Sequence, residues 1–181
     1  MKTTLLVIDD FYANPEEVRE FALAQDFDVK GNYPGLRTKP FLNDSTKEGI
    51  QRLLYMHAGN VIDWGEQYSG CFQLCTAHDR TWIHADTNNT WAGVLYLTPD
   101  APISGGTALY RHKATGHVRE DAGTLYEPYD YTKWEVADRV GNIFNRLVLY
   151  RGDLFHASVD YFGSNFTDGR LIQTFFISTE R

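Results

Sequence analysis

Cysteine is scarce in this sequence: Cys71 and Cys75 are the only two in 181 residues. If the run C-F-Q-L-C is a strand, four positions separate the two Cα atoms by roughly 13 Å, about twice the reach of a disulfide. The pair therefore reads as two buried thiols, and the expected compartment is a reducing cytoplasm. A C-x-x-x-C spacing without a second cysteine pair also lacks the ligand set of a structural zinc site. Positive charge is in deficit as well, with 17 Lys and Arg against 24 Asp and Glu, for a formal net charge of -7. Phosphate backbones require a basic face, so nucleic acid is not an expected partner. The one local basic run, Arg111-His112-Lys113, reads as a solvated strand end. Long apolar runs are missing too. The short one between Met1 and Ile8 is cut by Asp9 and Asp10 before it reaches signal-peptide length, and no stretch approaches the length of a bilayer span. The expectation is a soluble protein with no membrane partner; its oligomeric state is not written in the sequence.

What is present is aromatic and β-branched. Hydrophobic residues make up 43% and aromatic residues 14% of the chain, enough to bury one core and far from a disordered composition. Thr3 to Ile8 is strand-prone. Asn14-Pro15-Glu16-Glu17 has the cap, first-turn proline and acidic first turn of a helix, placed over Pro15 to Gln25. Gly31 to Pro40 is rich in turn formers and reads as a loop. A second helix follows Asn43-Asp44-Ser45 and runs to about Ala58, with Ile50, Leu53, Leu54 and His57 on one stripe.

After Trp64 short apolar runs repeat at close spacing: Cys71–Ala77, Thr81–Asp86, Trp91–Leu97, Thr107–His112, Leu147–Tyr150, His156–Tyr161 and Leu171–Ile177. Many strands broken by turn signals indicate an antiparallel sandwich or barrel. Residues 113–145 interrupt the series, with a helix expected from Tyr131 to Val140. The expected fold is mainly β with some α: a double-stranded β-helix, or jelly roll, over about residues 64–181, with supporting helices in about 1–63, together one domain.

Within T-W-I-H-A-D-T-N-N-T-W, His84 and Asp86 stand two positions apart. Side chains alternate along a strand, so the two share a face with Cα atoms roughly 6.6 Å apart, and both can reach one ion. His156, in R-G-D-L-F-H-A-S-V-D, is the natural third ligand. Two histidines and one carboxylate leave coordination positions open, the pattern associated with non-haem Fe(II) oxygenases. Taken singly, each residue also fits a plainer role, a satisfied histidine or a surface aspartate.

The series H-A-D, G-V-L-Y-L-T, G-G-T-A-L-Y, R-G-D-L-F-H and R-L-I-Q-T-F-F-I resembles, in order, the motifs of the prolyl 4-hydroxylase-like 2-oxoglutarate and Fe(II)-dependent dioxygenases. The resemblance covers Cys71 to Ser178. It implies that His84, Asp86 and His156 bind Fe(II) and that Arg170 holds the distal carboxylate of the cosubstrate 2-oxoglutarate through paired hydrogen bonds. Thr174, on the same strand face, and the phenol of Tyr96 would assist. Gln73 would stand where the family carries a tyrosine. The plainer alternatives are an Arg170 paired with Asp168 or Asp160, a Thr174 chosen for the strand, and a Tyr96 in the core. Arg170 also lies further beyond His156 than is usual in prolyl hydroxylases, which requires a longer turn over Gly163 to Gly169.

The resemblance implies oxidative decarboxylation of 2-oxoglutarate coupled to hydroxylation of a small molecule, amino acid or peptidyl residue. Asp86 favours hydroxylation over halogenation, since related halogenases carry a small residue there. Substrate contacts are expected from Tyr33, Arg37, Trp82, Asn88 with Asn89, and Arg111. Two further readings stay open: a cupin-like metalloenzyme that does not use 2-oxoglutarate, and a non-catalytic jelly-roll binding module.

Overall fold

The computed structural model describes residues 3–181; Met1 and Lys2, the start of the N-terminal apolar run, lie outside the described residues. In chain order the elements are β1 (Leu5–Ile8), α1 (Pro15–Leu23), β2 (Leu36–Pro40), α2 (Asp44–Ala58), β3 (Val61–Asp63), β4 (Cys71–Cys75), β5 (Trp91–Tyr96), β6 (Thr107–His112), β7 (Trp134–Val140), β8 (Leu147–Arg151), β9 (His156–Ser158) and β10 (Arg170–Thr179). All strand pairings are antiparallel. A major sheet runs β1-β8-β5-β10-β4-β2, with β3 added to β10, and a minor sheet runs β7-β6-β9. The fold is the expected jelly roll. The segment before residue 64, read from sequence as helical support, also contributes three strands to the major sheet.

Strand β10 explains the layering. Leu171, Phe175 and Ile177 face the helices, packing with Ile50 and Leu54 of α2 and Ala22 of α1, while Ile172 and Phe176 join Val94, Tyr150 and Leu109 between the sheets. A strand buried on both faces has to read as a nearly continuous apolar run, and R-L-I-Q-T-F-F-I does. A third cluster, around Ile83, Tyr110, Trp134 and Phe155, involves the minor sheet.

Both helices start where their caps dictate. Proline opens α1 with Glu16 and Glu17 in its first turn, where negative charge meets the positive end of the helix dipole. The Asn43 side chain accepts from the Thr46 N–H at 2.8 Å to cap α2. The buried face of α2 is centred on Leu54, between Ile50 and Ala58. His57, expected on the stripe, falls at its edge, where Nδ1 hydrogen-bonds the Thr3 hydroxyl at 2.9 Å.

Three elements differ from expectation. The loop expected over Gly31 to Pro40 ends in β2, because β4 has a free edge there; Pro40 is tolerated since an edge strand need not donate at every position. The helix expected from Tyr131 to Val140 is a short 3-10 turn followed by β7. Trp134 and Val140 are buried at its two ends, and β6 takes the segment as its outer partner across a register shift at Leu109/Tyr110, with the Trp134 ring packed on His112 and Phe155. The strand expected over Thr81–Asp86 is reduced to one bridge, His84 to His156, because the neighbouring Ile83 N–H donates to Pro128 O.

Cys71 and Cys75 are free and buried, as expected, and burial lifts the Cys71 thiol to about 11, so neither stands out as a nucleophile. Because α2 docks through Leu54, Leu54→Ala should lower the unfolding free energy by about 3 kcal/mol. In the same urea titrations Met56→Ala, at a side chain 79% exposed, should change it by less than about 0.5 kcal/mol.

Candidate functional site

Two reciprocal backbone bonds, His84 N–H to His156 O at 3.0 Å and His156 N–H to His84 O at 2.8 Å, tie the H-A-D segment to β9. They bring the two imidazole rings to 4.4 Å between centroids. Asp86 is fixed separately, its N–H donating to Gly152 O at 2.7 Å. Gly152 has to be glycine for this contact: a Cβ there would sit 2.3 Å from Asn89 O and 2.7 Å from Asp86 O. His84 Nε2 then lies 3.9 Å from Asp86 Oδ1, and His156 Nε2 lies 3.2 Å from Asp86 Oδ2. One ligand atom from each residue falls within 4.8 Å of the other two.

The tautomers suit a metal. His84 Nδ1 faces Trp82 O at 3.0 Å, and His156 Nδ1 faces Leu154 O at 2.9 Å. A carbonyl oxygen only accepts, so both Nδ1 atoms carry hydrogen and Nε2 is the nitrogen that faces the cluster, an orientation typical of ligating histidines. Burial, together with the charge of His156, pushes His84 down to about 4, so its imidazole is neutral near pH 7. Burial alone would raise the Asp86 carboxyl; the hydrogen bond and charge of His156, with His84 and Arg37, hold it below its ordinary value. A neutral imidazole lone pair and a carboxylate facing each other need positive charge between them. A proton shared between His156 and Asp86 supplies it for one pair, whereas a divalent cation supplies it for all three groups. The donor set fits such an ion.

The three residues line a cavity of about 410 Å³. Tyr33, Arg37, Gln73, Trp82, Asn88, Asn89 and Thr174 line it too, so most of the residues singled out in the sequence converge there, whereas Arg170 and Tyr96 are not among the lining residues. Gln73 Oε1 accepts from Arg37 Nη2, and its Nε2 donates to Pro34 O at 2.8 Å. The Thr174 hydroxyl donates to the carbonyls of Tyr68 and Cys71.

Arg170 starts β10 on the same face as the lining residues Ile172, Thr174 and Phe176. It is fully buried, with no carboxylate partner: Nε donates to Gly105 O at 2.9 Å and Nη2 to Gly106 O at 3.3 Å, while Nη1 has no partner. Asp160 is engaged by Arg139, and Asp168 accepts from the N–H groups of Ser164 and Asn165 in the turn before β10. The pairing of Arg170 with either aspartate is therefore not formed. Tyr96 lies beside the Arg170 guanidinium, 5.4 Å from its ring centroid, with its hydroxyl 2.8 Å from that of Thr107.

Arg111 is a correction. It is the one exposed residue of β6 and pairs with Glu135 of β7, outside the cavity lining. Alternation puts it on the face of Thr107, which lines the cavity, but four positions further along β6 and outside the cavity lining, so the solvated reading holds for Arg111, while His112 of the same run is buried.

Tyr161 is a site residue that the sequence reading misses. It lines the cavity, its buried hydroxyl has no partner, and its ring centroid is 5.8 Å from the Arg170 guanidinium. Counting alternate positions from His156 puts Tyr161 on the wrong face. Asp160 at φ 48 breaks the alternation and returns Tyr161 to the side of His156 and Ser158. An aromatic residue just after the second histidine was the available signal.

A profile of a family of unknown function, DUF6445, matches residues 1–132. The chain belongs to that family. The matched DUF6445 segment includes His84 and Asp86 and stops short of His156 and Arg170. No curated protein matches the chain. Among solved structures, HygX from Streptomyces hygroscopicus with nickel and 2-oxoglutarate bound aligns over 99% of this chain and 84% of its own, with a TM-score of 0.63 and 14% identity. HygX with hygromycin B also bound aligns over the same shares, with a TM-score of 0.64 and 12% identity. A prolyl hydroxylase from Trichoplax adhaerens, in complex with a hypoxia inducible factor peptide fragment, aligns over 97% of this chain and 84% of its own, with a TM-score of 0.51 and 14% identity. At such identities the likeness is one of fold. The resemblance to prolyl 4-hydroxylase-like oxygenases read from the motifs holds at that level. Among the described residues no helix is long and apolar enough to cross a membrane.

His84 carries a pH signature in metal-free protein. Its folded pKa lies below the ordinary 6.5, so the unfolded chain takes up the proton first. The stability it contributes is intact above about pH 6.5 and is lost as pH falls toward 4. After chelator treatment the melting temperature should fall between pH 6.5 and 5 by an extra margin on the order of a few degrees. His84→Asn should remove that margin, and equal slopes for the two proteins would contradict the assignment.

Proposed function

We propose that the protein is a 2-oxoglutarate- and Fe(II)-dependent dioxygenase, a hydroxylase of a small molecule, amino acid or peptidyl residue, with residues 1–181 acting as one catalytic domain. The observation that carries this reading is the pairing of two incomplete groups. A His-Asp-His donor set opens onto a cavity, and the strand forming part of its wall begins with a buried arginine whose Nη1 has no partner. An unsatisfied buried guanidinium nitrogen is costly, and a carboxylate would satisfy it. A cupin-like centre or a lectin-like module gives that nitrogen nothing to do.

In this reading His84, Asp86 and His156 hold Fe(II) through Nε2, a carboxylate oxygen and Nε2, leaving positions open toward the cavity. When bound, iron and 2-oxoglutarate together supply the oxidising power: dioxygen is consumed, the keto acid becomes succinate and carbon dioxide, and one oxygen atom enters a C–H bond of the substrate. The chain contributes geometry. Gly105 and Gly106 carbonyls restrain the Arg170 fork so that Nη1 is left for the distal carboxylate; Arg170 itself lies behind the lining residues, with the cavity-lining Tyr161 ring 5.8 Å from its guanidinium and Thr174 on the same face of β10. Tyr96 and Thr107, bonded to each other, position this group from beneath. Ile172, Val94 and Phe176 keep the surroundings apolar, which limits water and strengthens the charge-assisted contacts. Trp82 and Asn88 are substrate-side walls. The solved neighbours have bound a small molecule in one case and a peptide fragment in the other, which supports a substrate of either kind.

Under anaerobic conditions, Fe(II) followed by 2-oxoglutarate should produce a weak visible band that neither produces alone; admitting oxygen should then yield succinate. Asp86→Ala should abolish both. Arg170→Met should raise the 2-oxoglutarate requirement by about thirtyfold or more, with Arg170→Lys recovering part of the loss. An unchanged requirement in folded Arg170→Met protein would rule out this cosubstrate assignment.

A further inference from the structure

The cavity is lined by a buried guanidinium that the proposed chemistry does not use. Arg37, on edge strand β2, is 7% exposed and lines the same cavity as His84 and Asp86. It donates to Gln73 Oε1 through Nη2; its Nε is buried with no partner, and no carboxylate lies within ion-pair distance of it among the described residues. An aromatic ring lies over it: Arg37 Cζ sits 3.8 Å from the centroid of Tyr33.

That stack is built rather than incidental. The Tyr33 hydroxyl donates to Val29 O at 2.5 Å, and Val29 in turn bridges to Arg37, closing the loop on itself. A Cβ at Gly31 would stand 2.5 Å from the Tyr33 ring, so the glycine leaves space for the ring to lie over the guanidinium. Gln73 is held from its other end by Pro34 O. Arg37 is thus braced on one face by an aromatic ring and at one nitrogen by an amide oxygen. Among the described residues the carboxylate that acts on it is the more distant Asp86.

A buried cation carries a desolvation cost that an uncharged amide offsets only in part. A planar guanidinium with free donors, stacked and immobilised, is suited to binding a carboxylate. We propose that the prime substrate carries a carboxylate that pairs with Arg37 under the Tyr33 ring and so directs a C–H bond toward the His84–Asp86–His156 centre. This rests on Arg170 being the cosubstrate anchor. With the distal carboxylate of 2-oxoglutarate assigned there, Arg37 is left for a second anion. The substrate class is a small carboxylic acid, free amino acids included, small enough for a cavity of about 410 Å³ shared with the cosubstrate.

The test pairs acids with neutral analogues. Iron-loaded protein is supplied with 2-oxoglutarate and a panel of free amino acids and short-chain carboxylic acids, each beside its methyl ester and primary amide, and succinate formation is followed. At least one acid should stimulate turnover, and its ester and amide should not. Arg37→Met should raise the half-saturating concentration of that acid by about thirtyfold or more, with Arg37→Lys in between, and should affect the 2-oxoglutarate requirement far less. An activity-independent readout uses nitrogen-15 labelled protein with magnesium in place of iron and 2-oxoglutarate present. Adding the panel acids should shift the Arg37 Nε–H resonance, and adding the amides should not. Esters or amides acting as well as acids, or no acid giving either response, would overturn the proposal. If Arg37→Met raised the 2-oxoglutarate requirement as steeply as Arg170→Met, the carboxylate on Arg37 would be the cosubstrate's: the proposal would fail and the dioxygenase reading would stand. Absence of succinate with the Arg37 shift retained would fail the dioxygenase reading alone.

Discussion

The site depends on one pair of backbone hydrogen bonds, those exchanged by His84 and His156. They join a non-repetitive segment to the three-residue strand β9, and without them the two imidazoles would have no fixed relation. The geometry around them is closed by contacts that do not involve the imidazoles' metal-facing atoms. Nδ1 of each ring is held by a carbonyl two residues before it in the chain, and Asp86 is held by Gly152. Orientation is therefore set by the backbone, and the Nε2 atoms are left for chemistry. Such pre-arrangement is what a metal centre requires, because ligand rotamers that are fixed beforehand need not be ordered at the moment of binding.

The same interior carries an electrostatic cost. Arg170 and Arg37 are removed from bulk water, Asp86 is partly so, and the two arginines leave the Nη1 and Nε atoms, respectively, unpaired. A fold selected only for stability would place apolar side chains at such positions. The surrounding structure tolerates the strain because it is packed on both sides of the major sheet: β10 is covered by α1 and α2 on one face and by the minor sheet on the other. The helices matter to the site through this sheet, on which the cavity-lining residues of β4, β5 and β10 stand.

Much of this was legible in the residues. The jelly roll followed from the spacing of short aromatic and β-branched runs, and α1 and α2 from Pro15 and Asn43 at their starts. His84 and Asp86 were readable because two positions apart means one face of an extended segment, even though that segment proved to hold a single bridge. What was not legible depended on partners. Nothing local in L-R-T-K-P says that β4 has an open edge, so β2 reads as loop; nothing local in W-E-V-A-D-R-V says that β6 needs a neighbour, so β7 reads as helix. Arg111 carries the same charge as Arg37 and Arg170, and only its place near the end of β6, past the cavity-lining Thr107, separates a solvated ion pair from a buried donor. Tyr161 was hidden by the left-handed residue Asp160, which shifts the alternation that sequence counting relies on.

The central claim is that His84 Nε2, Asp86 and His156 Nε2 surround one divalent cation. Crystals grown with Mn(II) and 2-oxoglutarate in the absence of oxygen test it most directly, through an anomalous difference map recorded near the manganese edge. The account predicts one strong peak bounded by those three side chains, at roughly 2.0–2.3 Å from each ligand atom. A peak elsewhere, or none with the metal present at saturating concentration, would contradict it.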